Sequence, residues 1–321
     1  MLGKLVAISA VFTFVVSNVI FRKTELEVSP TFINFFRTAI GTLTFFFIIL
    51  ILNQLNLIFV VSWELWLLLI LSFVFGQVIG DTAYFIAQKD LGTTIALAIS
   101  MTFPLFTFIL SLVFFNEPFK LNLVLSLILI GIGVIIIGRS KSIPREVKLD
   151  TNANQEILII ESQKKKYIKA IGFCFTASIG WAIGAVLIEY ATVQIDQIIY
   201  VEELSSIIGN VIRFPFALMI LGSMVLREEY LIKKKPNPSY QRKSIYTWMF
   251  LLGGSLIGTS LGAYLYTESV HLAGANLVSL IATASPLFAL PLTYLVNKER
   301  ISRFGFIGVI ITILGVIVIL I

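Results

Sequence analysis

Few residues in this chain have the type and spacing that chemistry requires. In 321 residues there is one histidine, His271, and one cysteine, Cys174. Far apart, they make neither a metal site nor a nucleophilic dyad, and Cys174 can form no internal disulfide, so packing is its expected role. No His-Glu-x-x-His stretch and no G-x-x-x-x-G-K-[ST] phosphate loop occurs. What remains is a small polar set inside long apolar runs: Arg37 and Arg213, Asn34 and Asn210, Asp81, Tyr84 and Tyr266. A charge in such surroundings costs several kcal/mol, roughly 2.5–3.5 on insertion scales, and needs a compensating group. Asp81 has the chemistry of a proton relay, or of a structural partner for a cation. Each arginine can snorkel to headgroups, bridge to another helix, or anchor an anionic group. Asn34 and Asn210 lie three residues before the arginines and share their helix faces.

These residues have to be positioned by membrane helices. The chain is 58% hydrophobic and 13% charged, whereas a soluble domain carries about 25% charged residues. Its apolar runs are about twenty residues long, the length that crosses a bilayer core. The expected fold is an all-α polytopic membrane protein with ten spans near 4–21, 31–52, 64–86, 92–115, 119–138, 167–188, 203–225, 246–268, 274–296 and 302–320. Apolar from Leu5 to about Phe21, the first run is read as a retained span rather than a signal peptide. The longest polar stretch, 139–166, is the natural linker between a first repeat, 1–138, and a second, 167–321.

The two halves repeat. Shifted by 182, residues 76–137 and 258–319 match without gaps at 15 of 62 positions, including Gly76/Gly258, Gly80/Gly262, Tyr84/Tyr266, Gly92/Gly274, Pro104/Pro286, Glu117/Glu299 and Gly133/Gly315. The second spans align at a shift of 176 through Asn-x-x-Arg, and the first at 167, setting Ser9, Thr13 and Ser17 against Thr176, Gly180 and Gly184. Five helices per repeat is an odd number, so the second repeat is expected to enter from the opposite side, as inverted repeats do in secondary transporters.

Small residues recur every fourth position at Ser72, Gly76 and Gly80, and at Gly254, Gly258 and Gly262. Such stripes let helix backbones approach closely and read as packing seams. Tyr84 and Tyr266 continue them by one turn, as interfacial or cavity-lining rings. Pro104 and Pro286 fall inside the fourth span of each half, where a proline kinks the helix and frees a carbonyl beside any cavity. Glu117 and Glu299 are expected to charge the start of the following helix, and Glu189 and Glu268 to be interfacial.

Two five-helix repeats, each with a Pro-Leu-Phe…Glu fourth span and a glycine-bearing fifth, resemble the EamA family of the drug/metabolite transporter superfamily over nearly the whole chain outside the linker. The resemblance implies alternating-access transport of a small metabolite, amino-acid-like or related, with the lipid bilayer and a small-molecule substrate as partners and a coupling proton as a candidate third. From the residues themselves, no cofactor, no metal and no nucleic acid is expected, and the oligomeric state is left open. The resemblance also implies cytoplasmic termini. The charges say otherwise: with the termini outside, the inner loops hold 20 Lys and Arg and the outer ones 2, so the positive-inside rule puts the 139–166 linker in the cytoplasm, with the plasma membrane as the expected location. Alternatives are a translocator of phosphorylated or nucleotide-linked sugars, for which two intramembrane arginines are few, and a scaffold or receptor with a dry interior. An intramembrane protease would need a second aspartate beside Asp81, a Ser–His pair or a His-Glu-x-x-His metal site.

Overall fold

The computed structural model describes residues 1–114, 121–139, 153–199, 204–234, 243–298 and 302–320. Their regular structure is helical throughout. The elements are α1 (Leu2–Arg22), α2 (Pro30–Ile51), α3 (Trp63–Leu91), α4 (Thr93–Phe114), α5 (Leu121–Arg139), α6 (Ala153–Ile199), α7 (Ser205–Lys234), α8 (Ile245–Ala273), α9 (Ala275–Asn297) and α10 (Arg303–Leu320), with a short 3-10 turn at Leu55–Phe59. Among the described residues, eight helices, α1–α4 and α6–α9 (from Lys165 in α6, to Leu231 in α7), are long and apolar enough to cross a membrane.

Starts and stops follow local chemistry. At α2, Ser29 accepts the Phe32 N–H at 3.1 Å and Pro30 occupies the first turn, where a missing N–H costs nothing. Ser244 accepts the Thr247 N–H in the same way at α8. Helix α3 runs past polar Gln88 and Lys89 and stops at Gly92 (φ 83°, ψ 160°); α8 stops at Gly274 (φ 80°, ψ 151°). That backbone conformation is essentially reserved for glycine. Both helices therefore outlast the apolar runs that suggested ends near 86 and 268. Helix α6 begins at Ala153, so the distal part of the expected linker is helical. Residues 154–171 lack glycine and proline and carry four Lys, two Glu and two Gln, good helix formers. Residues 140–152, with Glu117 and Glu299, lie outside the described residues.

Three irregularities recur at one register. Helix α3 widens to π geometry from Val74 to Asp81, and α8 from Leu256 to Leu261. The positive-φ glycines at 92 and 274 follow. Then α4 breaks at Met101–Thr102 and α9 at Thr283–Ala284, each restarting one residue later at Phe103 and Ser285. Pro104 and Pro286 thus sit in the first turn of a restarted helix, where no donor is lost. The chain breaks ahead of each proline instead of kinking around it, which corrects the expectation of a kinked continuous span.

Packing is exchanged between the halves: α1 lies on α8 and α9, α6 on α3 and α4, α2 on α7 and α5 on α10. The seams are glycine contacts. A Cβ at Gly180 would fall 2.5 Å from the Phe75 carbonyl oxygen, one at Gly184 2.7 Å from that of Ser72, and Gly258 and Gly262 abut Ser17 and Thr13. Large apolar side chains such as Phe47, Phe59, Trp63, Leu226 and Phe304 are exposed on the outside, whereas Asn34, Gln77, Gln88 and Asn210 are buried.

Side-chain contacts identify which helix ends meet. At one end Arg22, closing α1, pairs with Glu25 and donates to the Gln88 and Lys89 carbonyls at 2.9 and 3.0 Å. There too, Glu27 accepts from the Ser244 N–H at 2.6 Å, Lys166 pairs with Asp90 at 2.9 Å, and Asn297 donates to the Val19 carbonyl at 3.1 Å. At the other end Gly3, opening α1, packs on Leu272 and Ala273. His271 pairs with Asp196 at 2.5 Å, and Glu189 accepts the Ala275 N–H at 3.0 Å.

Candidate functional site

Between these two ends lies a cavity of about 140 Å³. Its wall takes residues from α1, α2, α3 and α4 of the first half and α6, α7, α8 and α9 of the second, including both π segments' neighbourhoods and both arginines. Aromatic rings from Phe14, Phe73, Phe103 and Trp181 supply much of the surface, and Tyr84 and Tyr266 join them.

Arg37 is buried and does not reach for the headgroups. Its Nη2 donates to Asp81 Oδ2 at 2.9 Å and to Gln77 Oε1 at 3.2 Å, and its guanidinium lies 5.3 Å from the Phe85 ring centre. The other Asp81 oxygen, Oδ1, accepts from the Trp181 indole N–H at 2.7 Å. So α2, α3 and α6 are joined through one carboxylate. Asn34 is drawn to α3 rather than to the arginine. Its amide donates to the Gln77 carbonyl at 2.7 Å and to Thr82 Oγ1 at 2.9 Å, while Gln77 Nε2 donates back to Asn34 Oδ1 at 3.1 Å and to Thr38 Oγ1 at 2.8 Å. The Gln77 carbonyl lies inside the π segment, where the backbone ladder is interrupted and side chains can serve it.

Arg213 is buried as well and is served differently. Its Nε and Nη2 donate to Asn210 Oδ1 at 3.0 and 2.6 Å, Nη2 also meets Thr267 Oγ1 at 2.7 Å, and the Phe73 ring centre is 4.5 Å from the guanidinium carbon. Among the described residues no carboxylate pairs with it, and Nη1 makes no hydrogen bond. Snorkelling, one expectation for both arginines, is therefore set aside: each is held within the protein by polar side chains three to four residues along its own helix or on the facing one.

A chain of contacts leads from the cavity to the α1/α3 end. Tyr84, fully buried, donates to Gln88 Oε1 at 2.6 Å, and Gln88 Nε2 donates to Glu25 Oε1 at 2.6 Å, which pairs with Arg22. Ser72 and Gly76 line the cavity beside Gly184, and Gly80 packs under Trp181. Gly254 packs on Phe21. Pro104 and Pro286 are buried next to the cavity residues Phe103 and Ser285 without lining it.

Gln77, Trp181, Gln88 and Glu25 were not singled out from the sequence. Gln77 had a usable signal: an amide four residues before Asp81 in the same apolar run is as conspicuous as the acid. Trp181 had none, since an indole N–H carries no charge and sits among apolar neighbours.

A helical membrane protein with a central cavity, lined largely by aromatic and aliphatic side chains around two arginines and one acid, at the meeting of two matched halves belongs to the transporter class of folds. The comparisons with known proteins narrow this. Residues 1–139 and 168–321 match the EamA-like transporter family, and the chain belongs to that family, within the drug/metabolite transporter superfamily. Over 320 residues it is 23% identical to a protein of Archaeoglobus fulgidus described as an uncharacterized transporter, covering 100% of this chain and 98% of that one. A solved structure described only as a crystal structure of a protein superposes with a TM-score of 0.62 at 14% identity, over 99% of this chain and 96% of the other; that likeness concerns the fold alone.

Proposed function

We propose that the protein is a secondary transporter that carries a small metabolite through this cavity by alternating access, on ten spans arranged as two inverted five-helix repeats. The observation that carries it is the coincidence of register: π segment, glycine stop and helix break recur 182 residues apart, and both sets flank the same cavity. The helix-end contacts support the inversion. Helix α3 finishes at the end where α8 starts, because Arg22 touches Gln88 and Glu27 touches Ser244. Matched segments thus run in opposite directions, the arrangement that lets one fold open to either side. The paired interfaces α1–α8 and α6–α3 then act as alternately loosened seams. The Arg22–Glu25–Gln88–Tyr84 chain closes one end, and the Asp196–His271 pair with the Glu189–Ala275 contact closes the other.

Asp81 is the acid through which a proton gradient would act. Its carboxylate is engaged by Arg37 and Trp181, so proton uptake requires a state in which that contact has opened and water reaches it. The described cations Arg22, Lys89, Lys166, Lys243 and Lys298 gather at one end, which supports a cytoplasmic assignment for that end and outside termini. Cavity-lining acids number one, so the paired carboxylates of an intramembrane aspartyl protease have no counterpart among the described residues.

The test is uptake of a metabolite panel into proteoliposomes with and without a proton gradient. Saturable uptake of at least one compound, lost when Asp81→Asn is introduced into a protein that still inserts and folds, is the expected result. A folded, reconstituted protein that moves nothing on the panel in either direction contradicts the reading.

A further inference from the structure

The cavity is electrically incomplete. Arg37 and Asp81 offset one another at 2.9 Å, which leaves the charge of Arg213 as the surplus among the titratable residues lining it. Arg213 is 4% exposed, and a buried guanidinium with no anion is costly unless one arrives. Its geometry is already fixed. Asn210 Oδ1 takes Nε and Nη2, Thr267 meets Nη2, and Phe73 lies against the guanidinium face; among the described residues Nη1 is left unbonded, in a residue that lines the cavity. The position that repeats Asp81 is Ala263, which also lines the cavity. Where the first half places a carboxylate for its arginine, the second half places a methyl group and open space.

Building on the transporter reading above, we propose that the cargo is a small organic monoanion whose single carboxylate binds Arg213 in the role Asp81 plays for Arg37. Its apolar body packs against Phe14, Phe73, Phe103, Trp181 and Tyr266. One surplus cation suits one negative charge. A phosphate monoester would bring about two, and a zwitterion would leave the surplus in place. Bidentate guanidinium–carboxylate geometry supplies the recognition.

The experiment reads binding, not transport. Protein in phosphatidylcholine nanodiscs is melted while phenylacetate, 4-methylpentanoate or acetate is titrated at constant ionic strength, against phenylacetamide, 4-methylpentanamide, sodium chloride and inorganic phosphate. A saturable rise in Tm with phenylacetate or 4-methylpentanoate, and none with the amides, is expected. Arg213→Gln should weaken that binding on the order of thirty-fold or more, as expected when one partner of a buried charge pair is removed. Ala263→Asp should raise Tm without any ligand and abolish the carboxylate response, because it supplies the missing group internally. The proposal is overturned if amides stabilise as well as acids, if none of the carboxylates stabilises the wild type, if chloride or phosphate alone reproduces the effect, or if Ala263→Asp lowers Tm and leaves carboxylate binding intact. Binding without any transport would break the transporter reading and leave this one standing; transport of a cargo with which carboxylates neither bind nor compete would do the reverse.

Discussion

Two arginines stand at equivalent places in the two halves and have different surroundings. Arg37 and Arg213 each follow an asparagine by three residues, each is buried, and each faces the central cavity from the second helix of its half. Around Arg37 the protein has supplied a carboxylate, an amide and an indole that ties the carboxylate to α6. Around Arg213 it has supplied an amide, a hydroxyl and an aromatic face. The scaffold is repeated, and the repeat is broken at one position, 81 against 263. The first half is thereby a finished structural joint, and the second an arginine still short of an anion.

The largest effect should come from breaking the finished joint. Asp81→Ala leaves Arg37 buried against Gln77 without its counter-charge, and the loss of one partner of a buried pair costs about 3–5 kcal/mol. Chemical or thermal denaturation in a mild detergent checks it. Arg213→Gln, by contrast, removes an uncompensated charge and should change stability far less while weakening cargo binding; equal destabilisation by the two substitutions would erase the distinction between the halves. Moving the joint sharpens it: Asp81→Ala combined with Ala263→Asp should recover a substantial part of the stability lost in Asp81→Ala alone, measured in the same melts.

The seams come next. Gly180→Ala would push a Cβ to 2.5 Å from the Phe75 carbonyl oxygen, a backbone atom that cannot swing aside, and overpacking of this kind costs about 1–3 kcal/mol. Gly253, inside α8, has nothing within 4 Å of such a Cβ, so Gly253→Ala should be neutral or slightly stabilising. The smallest effect is expected at Glu27, outside the spans, whose carboxyl is held below the usual carboxylate range chiefly by the Ser244 backbone N–H and then by the Thr247 hydroxyl. A lowered folded pKa gives stability that is present above the unfolded value and lost as pH falls through the folded one. The small gap in Tm between wild type and Glu27→Gln should therefore close on acidification below the normal Glu range, and a gap that widens there would contradict the capping role.

Much of this was legible in the sequence because an ungapped repeat constrains glycine, proline and tyrosine as well as apolar character. The helix stops at Gly92 and Gly274 were in plain view, yet the apolar runs suggested ends near 86 and 268, since apolar patterning reports the hydrocarbon boundary and not the end of the helix. The π segments left no pattern: widening one turn changes which backbone groups are free without altering composition. Asp81 was visible as an intramembrane acid and Arg37 as a candidate partner for it, but the contact itself was not, because a link from α3 to α2 depends on packing that residue spacing within one helix does not report. For the same reason the two arginines looked alike in sequence. Only the facing residues on α3 and α8 tell them apart.

The claim on which the rest depends is that one cavity is opened in turn to the two sides. Ser285 lines it from α9, and a cysteine there is nearly isosteric with the serine. In a background where Cys174 is replaced by alanine, Ser285→Cys can be probed with an impermeant thiol reagent applied to either face of oriented proteoliposomes. Labelling from both faces is predicted, with each made slower by agents that hold the opposite side open. Labelling from one face alone, under every condition that supports uptake, would contradict alternating access.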